Sequence, residues 1–215
     1  MRPAAVLFDC DGVLADSEGL VNAIVAQDLA ERGWRMTADE CQETFLGMAA
    51  TAMVPVIEAR VGRLPTDWLV QLSHRISGSM LAELQPVPGA LAALRAIESA
   101  GLPVAVASNS AREELGAKLR RLGVAKSFEG RMFSYQDVPR PKPAPDMYLA
   151  AARACGANPA DCVVVEDSAL GAQAGLAAGC RVLGFARHTD ASIFRGIGAV
   201  PFADMAELPQ LLSLG

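Results

Sequence analysis

The feature that most constrains the fold is a series of short apolar runs, each of which stops abruptly at polar residues, glycine or proline. The first run spans residues 4–8, and similar runs follow at 103–107, 132–134, 162–165 and 181–185. Runs of this length are typical of strands that are buried on both faces of a parallel sheet. Because helix-length segments separate them, the sequence predicts an α/β protein with a three-layer, Rossmann-like parallel-sheet core.

Glycines support the helix assignments in the second part of the chain. Residues 90–100, 111–122, 145–155 and 168–178 have helical periodicity, and each segment is followed or ended by a glycine: Gly101, Gly123, Gly156 and Gly179. Glycine readily takes the left-handed conformation with which many helices end. We therefore predict a helix in each segment.

Residues 16–85 have a different pattern. Four helix-length segments, 18–32, 38–46, 50–61 and 66–84, follow one another with no strand-like run between them. Pro86 and the pair Pro88-Gly89 then break the helical pattern, as expected of a connecting segment. We predict an α/β core formed by residues 1–15 and 86–215, with an inserted helical cap at 16–85 that closes over the site.

Composition limits the partners that the protein can have. Lys and Arg number 19 against 24 Asp and Glu, a net charge of −5, so no overall positive field attracts nucleic acid or an anionic membrane. The first apolar run is too short for a signal peptide or a membrane span. The five cysteines are scattered without a Cys-x-x-Cys pair, which indicates neither a disulfide framework nor a zinc site. We expect a cytoplasmic protein with no nucleic-acid or membrane partner.

Two acidic pairs directly follow predicted strands. Asp9 and Asp11 belong to the segment Asp9-Cys10-Asp11-Gly12, and Glu166-Asp167 follows a run of three valines. Either pair could be an acidic turn that caps a helix. Neighbouring parallel strands would instead bring the pairs together at the edge where open α/β sheets bind ligands. Mg²⁺, which prefers oxygen ligands, is then the natural counter-charge.

Two further segments offer groups that bind anions. Ser108-Asn109-Ser110 lies between a predicted strand and a predicted helix, where a hydroxyl and free backbone N–H groups favour an anion. Lys142 lies in the proline-rich segment at 140–145, which would hold the root of its side chain in place. A positive charge there would offset the repulsion between carboxylates and phosphate. The alternatives are an ordinary helix cap and an exposed loop.

The order of these four segments resembles the four motifs of the haloacid dehalogenase superfamily. The matching segments are Asp9-Cys10-Asp11-Gly12, Ser108-Asn109-Ser110, Lys142-Pro143-Ala144-Pro145 and Glu166-Asp167-Ser168. The resemblance covers nearly the whole chain and is to the Mg²⁺-dependent phosphatase and phosphomutase branch, which has a helical cap after the first motif. In the cap, only the position and the helical character match.

The resemblance implies a set of catalytic roles. Asp9 would be the nucleophile that attacks phosphorus to form an aspartyl-phosphate. Asp11 would be the general acid for the leaving oxygen and then the base for the attacking water. Ser108 and Lys142 would complete the catalytic set by holding the phosphoryl oxygens, and Asn109 would join them as a substrate-binding residue.

The resemblance also implies a metal site. Asp9, the backbone carbonyl of Asp11 and the carboxylate of Asp167 would bind Mg²⁺. Glu166 would lie outside the ligand set and orient a ligand or water. Dehalogenases of the superfamily work without a metal and lack the second aspartate of the first motif, which is present here as Asp11.

We therefore expect a phosphatase that hydrolyses a small phosphorylated metabolite, such as a sugar phosphate, and is a monomer or a weak homodimer. The first alternative is a phosphomutase that resembles beta-phosphoglucomutase. Such mutases have a cap histidine and a cap arginine, but the matching stretches, 17–21 and 47–51, contain neither residue. The second alternative is a non-catalytic scaffold that binds a metabolite or partner; the intact catalytic positions argue against it.

Overall fold

The computed structural model describes residues 2–45, 48 and 50–214. Contacts between Cα atoms divide the chain into two compact units, Met1–Ala15 with Pro86–Gly215, and Asp16–Gln85. The strands of the described residues all belong to the first unit, and the second unit is helical. The roles of catalytic core and cap for these units stay a prediction.

The described residues of the helical unit form four helices, in the segments where the periodicity predicts them. They are α1 (Ser17–Glu31), α2 (Ala38–Phe45), α3 (Ala50–Val61) and α4 (Trp68–Glu83). Leu46, the predicted last residue of the second helix, lies outside the described residues. Apolar side chains such as Leu29, Ile57 and Trp68 form the core of this unit.

One buried carboxylate, Asp28, joins two helices of this unit. It accepts hydrogen bonds from Trp68 Nε1 at 2.8 Å, Arg32 Nε at 2.9 Å and Arg75 Nη1 at 2.9 Å. Burial alone would raise the pKa of Asp28, but the bonds from Arg32 and Trp68 outweigh it and hold the pKa below its usual value. The charge is therefore compensated inside a largely apolar core.

The first unit is built on a six-stranded parallel sheet with the order β3-β2-β1-β4-β5-β6. The strands are β1 (Ala5–Phe8), β2 (Val104–Ser108), β3 (Met132–Ser134), β4 (Cys162–Glu166), β5 (Arg181–Phe185) and β6 (Val200–Phe202). The five predicted strands are confirmed. The sequence analysis missed β6 because one of its three residues is a proline, which argues against a strand.

Six helices of the described residues belong to this unit: α5 (Ala90–Ser99), α6 (Arg112–Arg121), α7 (Asp146–Ala154), α8 (Ala169–Ala177), α9 (Ala191–Ile197) and α10 (Leu208–Leu211). Short 3₁₀ helices lie at Ala125–Phe128, Tyr135–Asp137, Pro159–Asp161 and Met205–Glu207. The four predicted helices are confirmed, with ends that differ by at most one residue. The last two helices were not predicted; they have seven and four residues, too few to show a clear period.

Both faces of the sheet are covered, which confirms the three-layer, Rossmann-like α/β fold. Leu7 of β1 packs in one core cluster with Met147 of α7 and Ala172 of α8. Successive side chains of a strand point to opposite faces. On the other face Phe8 meets Phe128 edge-on, with ring centroids 6.4 Å apart.

Glycine lets one helix approach the sheet closely. A Cβ on Gly175 of α8 would lie 2.8 Å from Val182 Cγ2 and 3.1 Å from Val164 Cγ1. Only a residue without a side chain leaves α8 this close to the sheet. Gly101, Gly123, Gly156 and Gly179 all have a positive φ, as predicted for residues that end helices. No helix in the described part of the chain is long and apolar enough to cross a membrane.

Replacing Gly175 with alanine should destabilise the protein by about 1–3 kcal/mol, because the added methyl group must push α8 away from two β-branched side chains. Gly196→Ala is the matched control, since nothing lies within 4 Å of a Cβ at that exposed position of α9. Chemical denaturation measures both effects. Equal stability of the two variants would contradict close packing of α8 on the sheet.

Candidate active site

The parallel register brings the predicted site residues to one edge of the sheet. Phe8 pairs with Val106 of β2 and with Val165 of β4. Asp9, the next residue, donates its backbone N–H to the carbonyl of Val165 at 2.9 Å. Ser108 and Glu166 are the last residues of β2 and β4, respectively. The carboxyl ends of the adjacent strands β2, β1 and β4 therefore lie together at the base of the site.

Three carboxylates gather at this edge. Asp9, Glu166 and Asp167 each offer one oxygen, and these oxygens lie within 4.8 Å of one another. Gly12 allows this approach: it has a φ of 72°, and a Cβ there would lie 1.8 Å from Asp167 Oδ2. The loop after β1 thus lies directly against Asp167. A set of carboxylate oxygens is the donor chemistry that fits a hard divalent cation.

A buried lysine neutralises part of this cluster. Lys142 Nζ donates to Asp9 Oδ1 at 2.5 Å, to Glu166 Oε1 at 2.6 Å and to the carbonyl of Ala107 at 2.8 Å. Its three N–H groups therefore match three acceptors. Burial alone would lower the pKa of Lys142, but Asp9 and Glu166 outweigh it and raise the pKa. The lysine is held in its charged form.

The pKa of Asp9 is raised to about 7, mainly because the carboxyl group is buried. The ammonium group of Lys142 lowers this pKa, whereas the neighbouring Glu166 and Asp11 raise it. A buried carboxylate with a strongly shifted pKa in a polar cluster is a feature of functional sites. The raised pKa of Asp9 therefore marks this carboxyl group as a candidate functional group.

Glu166 is occupied by partners from the protein. Its Oε1 accepts from Tyr148 Oη at 2.8 Å as well as from Lys142, and its Oε2 accepts from Ser168 Oγ at 2.9 Å and Ser168 N at 3.2 Å. A Cβ on Gly171 would lie 1.7 Å from Glu166 Oε1, so only glycine leaves room for this carboxylate. These bonds suit a group that orients its neighbours.

Asp11 faces a different set of groups. Its Oδ1 accepts from Lys118 Nζ at 2.6 Å, and its Oδ2 accepts from Ser110 Oγ at 3.0 Å and from Ser108 Oγ at 3.3 Å. Ser108 is buried and also accepts from the backbone N–H of Ser110 at 3.0 Å. The carboxylate of Asp11 and the hydroxyl of Ser108 thus lie side by side.

The side chain of Asn109 bonds the backbone of Lys142. Its Oδ1 accepts from the Lys142 N–H at 3.1 Å, and its Nδ2 donates to the Lys142 carbonyl at 3.4 Å. These bonds fasten the segment that carries the lysine to the loop after β2. The predicted role of Asn109 in binding substrate stays a prediction.

Comparison with known proteins settles the family. The model of the haloacid dehalogenase-like hydrolases matches residues 3–179. The chain belongs to this family. The resemblance inferred from the four motifs is confirmed, and so is the expectation that the protein is an enzyme.

Several members of the family are similar over nearly the whole chain. The 6-phosphogluconate phosphatase of Escherichia coli K12 is 29% identical over 98% of this chain and 95% of its own. A haloacid dehalogenase family hydrolase from Deinococcus radiodurans R1 is 34% identical and has a TM-score of 0.86, covering 100% and 97% of the two chains. A putative beta-phosphoglucomutase from Thermotoga maritima is 26% identical, with a TM-score of 0.80 and 99% of both chains covered.

Lys118 and Tyr148 are two site residues of this family member that the sequence analysis did not single out. The sequence does carry a signal for Lys118, because this lysine has Leu115 three residues before it on α6 and Leu122 four residues after it, at the residue that caps the helix. A charged residue in an apolar stripe indicates a buried partner. For Tyr148 on α7 the sequence has no such signal, since aromatic residues are common on buried helix faces.

In metal-free protein, Asp9→Asn should raise the unfolding temperature at pH 8. The raised pKa means that the fold disfavours the charged carboxylate, so stability is lost as the pH rises from about 4, the ordinary pKa of an aspartate, through about 7. The neutral amide of the variant avoids this cost, so its free energy of unfolding should be higher by at least about 1 kcal/mol. That gain corresponds to a rise of roughly 2–4 °C in the unfolding temperature. Thermal unfolding in EDTA at pH 8 and at pH 5.5 measures it.

The advantage of the variant should shrink at pH 5.5, where Asp9 of the wild type has taken up a proton. A difference that is the same at both pH values would contradict the assigned environment of Asp9.

Proposed function

We propose that the protein is a Mg²⁺-dependent phosphatase that hydrolyses a small phosphorylated metabolite, a sugar phosphate, through an aspartyl-phosphate on Asp9. The observation that carries the proposal is the contact of the buried Asp9 with Lys142 Nζ, beside the two further carboxylates Glu166 and Asp167. The Escherichia coli relative is a 6-phosphogluconate phosphatase, and the Deinococcus structure holds bound phosphate and sodium. Both support phosphate chemistry at this site.

In the first step, an oxygen of Asp9 attacks phosphorus. The new bond joins that oxygen to phosphorus, the bond from phosphorus to the ester oxygen breaks, and Asp11 gives a proton to the departing alcohol. Lys142 and Ser108 hold the phosphoryl oxygens. The ammonium group of Lys142 also offsets the repulsion between the carboxylate and the incoming phosphate.

In the second step, water attacks the phosphorus of the aspartyl-phosphate. Asp11 takes a proton from the water, the bond between phosphorus and the Asp9 oxygen breaks, and inorganic phosphate leaves. The carboxylate of Asp9 is then restored. Asp11 serves as acid in the first step and as base in the second, so its position must suit both transfers.

Asp9, Asp167 and the backbone carbonyl of Asp11 would hold Mg²⁺, and Glu166 would orient this set. The carboxylates that gather at the sheet edge fit such an ion by their donor chemistry. When bound, the cation supplies charge compensation for the phosphoryl group. The protein bonds to both oxygens of Glu166 favour an indirect role for this residue.

A phosphomutase is the second candidate, because a putative beta-phosphoglucomutase is similar over 99% of the chain. The stretches at 17–21 and 47–51 lack the histidine and arginine that such mutases are expected to carry there. We therefore favour hydrolysis. A bisphosphate primer that yields an isomer in place of free phosphate would favour the mutase.

With Mg²⁺, the purified protein should release phosphate from at least one member of a sugar-phosphate panel. Asp9→Asn should lower this rate on the order of 10³-fold or more, since an amide cannot replace the nucleophile. Asp161→Asn is the matched control: this exposed aspartate precedes β4, at the opposite edge of the sheet from Asp167. Full activity of the Asp9 variant would refute the assignment.

A further inference from the structure

A second buried lysine lies beside the proposed catalytic residues, outside the four motif segments. Lys118 of α6 is only 2% exposed. Its Nζ donates to Asp11 Oδ1 at 2.6 Å and to Ser110 Oγ at 3.0 Å, and pairs with Glu114 Oε1 at 2.5 Å. All three of its N–H groups thus have acceptors.

Helix α6 itself fixes the ammonium group. Glu114 is one turn before Lys118 on the same helix, and Ser110 lies just before the helix starts. Burying a lysine on an apolar helix face is costly unless the charge is paired, and an apolar side chain would pack there without that cost. Of the three partners, Asp11 alone comes from the loop after β1. The ammonium group therefore ties that loop to α6.

This tie distinguishes the two oxygens of Asp11. Lys118 engages Oδ1, whereas Oδ2 accepts from the hydroxyls of Ser110 and Ser108. Ser108 is a residue proposed to hold the phosphoryl group. Because Oδ2 lies 3.3 Å from the Ser108 hydroxyl, it is the oxygen that faces the phosphoryl position.

We propose that Lys118 is a positioning residue that holds Asp11 Oδ1 so that Oδ2 exchanges the proton with the ester oxygen and then with water. The proposal rests on the proposed phosphatase function and adds a residue to it. In the first step a proton moves from Oδ2 to the leaving oxygen as the ester bond breaks. In the second step a proton of the attacking water moves to Oδ2. Without the tie, the carboxylate would turn away and proton transfer would slow.

The test compares leaving groups in the variant Lys118→Met, assayed with Mg²⁺. 6-Phosphogluconate releases an alcohol that needs a proton, whereas p-nitrophenyl phosphate releases a stabilised phenolate that does not. We expect kcat/KM for the alkyl ester to fall about 100-fold, within the range of general-acid contributions, and kcat/KM for the aryl ester to fall less than about 3-fold. Lys126→Met, a change at an exposed lysine, should alter neither value.

A double-mutant cycle isolates the action through Asp11. Asp11→Asn should show the same dependence on the leaving group, and adding Lys118→Met to it should cause no further loss. Equal losses for both substrates in Lys118→Met, or full additivity with Asp11→Asn, would overturn the proposal and leave Lys118 a structural residue.

A crystal structure of Lys118→Met separates this proposal from the proposed function. If wild-type protein hydrolyses neither ester, the phosphatase assignment fails at these substrates, and the structure alone decides the role of Lys118. A carboxylate of Asp11 that has turned away from Ser108 supports positioning. An unchanged Asp11 overturns it.

Discussion

The site depends on the interaction of the buried Lys142 ammonium group with the carboxylates around it. Three carboxylates, Asp9, Glu166 and Asp167, lie close together at the end of a buried sheet, where each charge would be costly alone. Lys142 bonds two of them and the backbone of β2 at once, so one side chain joins three segments that are far apart in the sequence. One ammonium group against three carboxylates still leaves an excess of negative charge. That excess is what favours a divalent cation.

Close approach of backbone to carboxylate makes this cluster possible. At Gly12 and Gly171 a Cβ would lie within 2 Å of a carboxylate oxygen of Asp167 and Glu166, respectively. Larger residues at these positions would displace the acids that they face. The parallel register then fixes where each segment lies along the strand direction, because Phe8 pairs with β2 on one side and with β4 on the other. Glycines and register together set the geometry that the carboxylates need.

Much of this arrangement could be predicted from the sequence. Five of the six strands and four helices of the sheet unit follow from apolar runs and from glycines that end helices. The meeting of Asp9 with Asp167 follows from parallel strands that end at one edge. Strand β6 was missed because a proline interrupts its apolar run, and helices α9 and α10 were missed because seven and four residues hold too little periodic information.

The contacts between side chains also could not be predicted from the spacing of residues in the sequence. The motif pattern identified Asp11 but not its partner Lys118, which lies more than a hundred residues along the chain. Likewise, the pattern predicted Asn109 as a substrate-binding residue, which stays a prediction, but it did not show that the Asn109 amide bonds the backbone of Lys142. Which way a polar side chain turns depends on the packing of neighbouring helices, and a sequence pattern does not contain that packing. The motif pattern thus gives the residues proposed for catalysis but not the residues that hold them.

The central claim is that carboxylates from separate segments gather around a single divalent cation beside a nucleophilic aspartate. A crystal structure of the protein grown with saturating Mn²⁺, with an anomalous difference map, tests this most directly. The account predicts one strong peak in contact with the carboxylates of Asp9 and Asp167. A map with no peak between these two residues, or with the ion bound at another place, would contradict it.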